Sequence, residues 1–139
     1  MRLLAAFCLG YLMLCVASFV FFVGLWDGYF IKHGVDEYFN LIYIASQPWL
    51  AWAALALPLG WGLLYARFAN FIRAIFVILL ISCASTWYTP VALRAGFALF
   101  SSPKKLTLKD KIEQATLLYS VKGRSYYLLQ NGKTVMIKQ

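Results

Sequence analysis

The chain falls into two regimes of hydrophobic patterning. From Leu3 to Phe100 apolar residues come in long runs, whereas from Ala115 onward they alternate over short stretches with polar ones. Three runs stand out: Leu3 to Trp26, Trp49 to Ala66 and Phe71 to Tyr88. Each is close to the roughly 17 to 25 residues that cross a hydrocarbon core about 30 Å thick. The last two form a hairpin whose only charges are Arg67 and Arg73 beside its turn. A further stretch, Val91 to Phe100, is too short to cross and reads as a helical extension or an interfacial helix. A cleaved leader is the rival reading of the first run, with Val16 and Ser18 as passable cleavage positions. No polar segment follows them, however, because the apolar run continues through Phe19 to Val23. The pattern therefore predicts three transmembrane helices.

Small residues mark the expected helix contacts. Gly10, Ala17 and Gly24 lie one heptad apart with Ala6 four before Gly10, and the second run carries Ala56/Gly60 and Gly62/Ala66. Such stripes let helix backbones approach closely. Pro58 lies inside the second run, where it frees a carbonyl and bends a helix. If the runs alternate in direction, Trp26, Trp49, Trp52 and Trp87 anchor one membrane face. Arg67 and Arg73 then anchor the other by snorkelling.

Between the first two runs, Asp27 to Gln47 reads as a polar loop. It has room for a short amphipathic helix with Val35, Tyr38/Phe39 and Ile42 on one side. His33, the only histidine, lies near Asp36 and Glu37, but a lone imidazole beside scattered carboxylates reads as a solvated loop residue and not as a metal ligand.

Beyond Phe100, residues 101–114 read as a basic juxtamembrane linker and 115–139 as a three-stranded antiparallel meander. Its expected strands are Ala115 to Val121, Arg124 to Gln130 and Lys133 to Lys138, joined by two-residue turns at Lys122-Gly123 and Asn131-Gly132. Those turns would pair Tyr119 with Tyr126, Leu117 with Leu128, Leu128 with Val135 and Tyr126 with Ile137, all on one face. The other face would carry Leu118, Tyr127, Leu129 and Met136, the expected interaction surface of the tail. The predicted fold is thus a membrane α-helical region of three helices (1–100) followed by a small β-meander, α+β overall.

Composition agrees with this class. The chain of 139 residues is 63% hydrophobic and 13% charged, against about a quarter charged in soluble domains; its mean hydropathy is +0.71. The net charge of +8 is uneven. Nine of the thirteen basic residues follow the hairpin with only Asp110 and Glu113 against them, a segment charge of +7. Lys104, Lys105, Lys109 and Lys111 are expected to contact anionic lipid headgroups, at about 1 kcal/mol each near the surface. No nucleic-acid-binding fold or motif accompanies the charge. Arg2, Arg67 and Arg73 favour a cytoplasmic amino terminus, while Lys32, Arg94 and the linker lysines oppose it. Two arginines fixed beside a tight turn tip the balance toward a cytoplasmic amino terminus and a periplasmic tail in a bacterial inner membrane.

Chemistry adds little. Cys8, Cys15 and Cys83 all lie in apolar runs without a C-x-x-C pair, and a Cys15–Cys83 disulfide is opposed by their different expected depths. No span carries Asp, Glu or His, so the usual ion-coupling groups of a pump are missing. Phosphate-loop, zinc-protease and nucleophile-elbow motifs are also missing from the sequence. The expectation is a non-catalytic protein without a cofactor, an accessory or assembly subunit of an inner-membrane or envelope complex. Its expected partners are the bilayer and other membrane proteins or further copies of itself. A membrane immunity or exclusion factor blocking a toxin or conjugation channel is the alternative, and a small channel or transporter component the third.

Overall fold

The computed structural model describes residues 1–108, 111–121 and 123–138, with the backbone alone for 105–108 and 111–113. Helix α1 (Arg2–Leu25) passes directly into a π-helical extension, Trp26–Ile31. Short α2 (Phe39–Ser46) leads to α3 (Trp49–Tyr65), α4 (Ala69–Ala84) with a 3-10 turn at Ser85–Trp87, and α5 (Thr89–Phe100). Four strands follow: β1 (Ser102–Leu108), β2 (Lys111–Val121), β3 (Arg124–Leu129) and β4 (Thr134–Lys138). Two helices, Arg2–Ile31 and Ala69–Trp87, are long and apolar enough to cross a membrane; the bent pair α2 and α3 makes a third if counted as one broken span. This is compatible with an integral membrane protein.

The π-helical extension takes up the start of Asp27 to Gln47, the segment expected as a polar loop. It stays helical because Gly28 lets Ala92 of α5 pack against its backbone and Tyr29 lies over Gly96. It ends where its geometry demands glycine. Gly34 has φ +66°, its N–H bonds to Ile31 O, and the Val35 N–H bonds back to Phe30 O. That is a Schellman closure, completed by apolar contact between Phe30 and Val35 in one buried cluster. The sharp bend of the chain, 70°, lies at Gln47 and Pro48, while α3 is continuous through Pro58. Gln47 is held extended (φ −86°, ψ 133°), as a residue before proline prefers.

The sheet is an antiparallel meander in the order β1-β2-β3-β4. It has four strands, one more than expected, because Ser102–Leu108, read as linker, pairs with Lys111–Leu117. Near the β2–β3 turn the expected pairs Val121–Arg124 and Tyr119–Tyr126 are present. A bulge then intervenes between Leu117 and Tyr119, so Leu117 faces Tyr127 and not Leu128. The β3–β4 connection also differs. It is a three-residue loop, with Gly132 N–H on Leu129 O, Leu129 N–H on Lys133 O, and Gly132 at φ +78°. A type I turn closed by a left-handed glycine suits strand twist, and it moves β4 by one position: Tyr126 pairs with Met136 and Leu128 with Thr134.

The larger core forms where the sheet meets the helices. Leu118, Tyr119 and Tyr126 pack with Phe22, Leu25, Tyr29, Phe30, Val35 and Ile42, flanked by Leu93, Phe97 and Phe100 of α5. The expected single apolar face is therefore divided. Tyr119, Tyr126 and Leu128 turn toward the helices, whereas Leu117, Val135 and Ile137 join Ala115, Tyr127 and Leu129 in a separate cluster.

Candidate functional site

At the junction of sheet and helices, Glu37 lies on the loop leading to α2 with its side chain only 4% exposed. Two donors from β3 reach it. Arg124 Nη1 and the Tyr126 hydroxyl both lie 3.1 Å from its Oε1, and the same hydroxyl is 3.3 Å from Asp36 O. A buried carboxylate without donors is costly, so these contacts are what make its burial tolerable. Burial first, then the hydrogen bond to Glu37 and its charge, push the Tyr126 phenol above its ordinary pKa. Burial likewise raises Tyr119. Tyr29 supplies a second tie, donating to Leu118 O at 3.3 Å, a carbonyl of the bulge. A cavity of about 260 Å³ beside the pair is lined by Glu37, Tyr38, Leu41, Val121 and Arg124. The arrangement holds the sheet on the helices; the hydroxyls of Ser120 and Ser125 are 2.9 Å apart and pair with each other.

The expected tail surface does not come together. Leu118 is fully buried on the helix side because the bulge turns it there beside Tyr119. Tyr127 and Leu129 lie in the opposite cluster, and Met136, 45% exposed, is paired with Tyr126.

The small-residue positions lie at backbone contacts. Helices α1 and α3 run antiparallel, and a Cβ on Gly10 would overlap the Ala56 carbonyl while one on Gly60 would overlap that of Ala6. Ala17 is buried in a cluster with Leu63 and Phe76. Gly24 abuts Thr86, whose hydroxyl is 3.0 Å from Phe21 O and 2.8 Å from Cys83 O.

The tryptophans separate along α1. Trp87 Nε1 donates to Val20 O at 2.9 Å, and Ser18 Oγ donates to Gln47 Oε1 at 2.9 Å, which sets the start of α3 at a similar level. Trp49 stacks edge-on with Trp52 there. Trp26 lies six residues beyond Val20, about 9 Å at 1.5 Å per residue, and packs on Phe30 and Phe39. Sequence spacing missed this because α1 outruns the other two long helices.

At the hairpin end Arg67 is exposed, and Arg73 bonds back to α3 through Leu63 O. Lys104 is exposed in β1. Lys109 lies outside the described residues, as do the side chains of Lys105 and Lys111. His33 is not a free loop residue: Nδ1 is 2.7 Å from Tyr29 O, and the ring packs against those of Tyr29 and Phe97. Among the described residues no three His, Cys, Asp or Glu side chains gather as a metal site, and Cys8, Cys15 and Cys83 are free thiols. The Glu37 contacts escaped sequence reading, since their partners lie 87 and 89 positions away. The continuation of the glycine stripe from Gly24 to Gly28 was the available signal for the longer α1.

Compared with protein families, with curated proteins and with solved structures, the chain matches none.

Proposed function

We propose that this protein is a non-catalytic accessory or assembly subunit of a bacterial inner-membrane or envelope complex, with three spans and a β head that engages a partner. One observation carries the reading. Helix α1 and its extension form one helical segment from the exposed amino terminus into the core beneath the sheet, where Tyr29 and Phe30 are fully buried. A partner gripping the head therefore acts directly on the bundle. Tyr38, at 83% exposure on the loop that holds the sheet, and Met136 on β4 offer apolar contact, and α4 buries only Phe76 of its own side chains, leaving Ile75, Ile78 and Ile81 exposed for lipid or partner helices. The amino terminus is proposed to be cytoplasmic and the sheet periplasmic, since Arg67 and Arg73 sit at the hairpin turn.

Mild detergent extraction with cross-linking tests the role. A defined membrane partner should co-purify, and Tyr38→Ser with Met136→Ser should reduce its yield. A monodisperse monomer without a partner would overturn the proposal. Reporters fused at Gln139 and in the Val35 loop should report one compartment; opposite compartments would remove the third span.

A further inference from the structure

Beside the hairpin turn, an apolar groove of about 370 Å³ opens between α1, α3 and α4. Leu9 and Met13 form one wall, Leu63 a second, Phe76 and Leu80 a third, and among the described residues Arg73 is the one polar residue lining it. From Arg73 to Leu80 the groove follows α4 for about 10 Å at 1.5 Å per residue.

Arg73 is fixed at the mouth of the groove. Its Nε and Nη2 donate to Leu63 O at 3.2 and 3.0 Å, and Nη1 donates to Asn70 Oδ1 at 3.3 Å. Leu63 O belongs to the last turn of α3, where carbonyls lack helical partners, so the arginine completes that helix end. A guanidinium has five N–H groups, and these contacts use three. Both acceptors are neutral, so neither compensates the positive charge. Among the described residues Arg73 has no acidic partner, and Asp27, Asp36 and Glu37 all lie beyond the opposite end of the bundle.

The geometry points to a site for one anionic phospholipid, with an acyl chain in the groove and its phosphate on the two remaining N–H groups of Arg73. A planar guanidinium suits a phosphate better than a lysine would. A partner helix without an acid would fill the groove and leave the charge unmatched. The site rests on the hairpin lying in a membrane and is independent of any protein partner.

Native mass spectrometry of the full chain, released from detergent with phosphatidylglycerol and phosphatidylcholine of matched chains, tests it. One phosphatidylglycerol should be retained with a preference of about fivefold, the order that one arginine near a lipid surface gives. Arg73→Gln should abolish the preference, whereas Arg67→Gln, at a position that does not line the groove, should keep it. Val77→Trp fills the groove with Arg73 in place and should abolish retention, which decides the matter if Arg73→Gln fails to fold. Equal retention of both lipids, equal loss in Arg67→Gln, retention in Val77→Trp, or a second protein chain in place of the lipid would each overturn the site. Recovery of the chain in the soluble fraction would instead overturn the membrane reading on which it rests.

Discussion

The Tyr126 hydroxyl donates to Glu37 Oε1 at 3.1 Å, joining β3 to the loop that follows α1 across 89 positions of sequence. Arg124 meets the same oxygen but is itself half in water, so the desolvation falls on the carboxylate. Tyr126→Phe removes one of the two donors to a buried carboxylate and should destabilise the attachment of the sheet by about 1.5–3 kcal/mol, the range for a hydrogen bond to a charged group. Amide exchange should quicken across β3 while the Gly10–Ala56 seam keeps its protection. Equal loss at both places would show that sheet and bundle unfold as one.

The same contact makes the junction sensitive to alkali. Tyr126 has its folded pKa raised above its ordinary value, so the folded state holds the proton more tightly than the unfolded one. Stability from this group is complete below the unfolded value of about 10 and falls as pH rises through the folded one. The sheet should therefore loosen above about pH 10, with a phenolate forming beside the Glu37 carboxylate. Tyrosinate absorbance followed together with β3 amide exchange checks this, and Tyr126→Phe should flatten the dependence.

What could be read from sequence divides by range. That the long apolar runs form helices, and that Ala6, Gly10, Ala56 and Gly60 line one side of them, was legible because an apolar helix and its small-residue stripe are properties of one segment. The tail was legible only as far as its local turns. Tyr119–Tyr126 follows from Lys122-Gly123, but the pairing of Leu117 depends on a bulge that packing against Tyr29 and Phe30 rewards, and no local signal announces it. Strand β1 was hidden by its lysines, although Leu106 and Leu108 already alternate with Lys105 and Thr107. Glu37 falls in the expected polar loop, and its two donors come from the far end of the chain.

At the α1–α3 seam, backbone meets backbone with no flexible side chain to give way. Gly10→Leu should force the helices apart at a cost of about 1–3 kcal/mol or more, whereas Ala17→Leu meets the side chains of Leu63 and Phe76, which have some room to shift. Unfolding in mixed micelles should rank Gly10→Leu as the more damaging. Gly34→Ala offers a contrast. Nothing lies within 4 Å of an added Cβ there, so its penalty comes from φ +66° alone and should be about 1–2 kcal/mol.

The β3–β4 loop makes a geometric prediction that separates two registers one residue apart. Leu129 N–H reaches Lys133 O, so Leu129 and Lys133 form a hydrogen-bonded pair, and the next pair, Leu128 with Thr134, is of the non-bonded kind. Such pairs bring Cα atoms to about 4.5 Å, within the range of about 4.4–6.8 Å that a disulfide accepts. In a background with Cys8, Cys15 and Cys83 replaced by alanine, Leu128→Cys with Thr134→Cys should oxidise readily. Leu128→Cys with Val135→Cys should not, because in this register the two side chains leave opposite faces of the sheet. A two-residue Asn131-Gly132 turn would reverse the outcome, since it would set Leu128 opposite Val135. Gly132→Ala distinguishes the loops independently of oxidation: at φ +78° a Cβ is strained, so cross-linking of the 128–134 pair should slow while the pairing of β2 with β3 is retained.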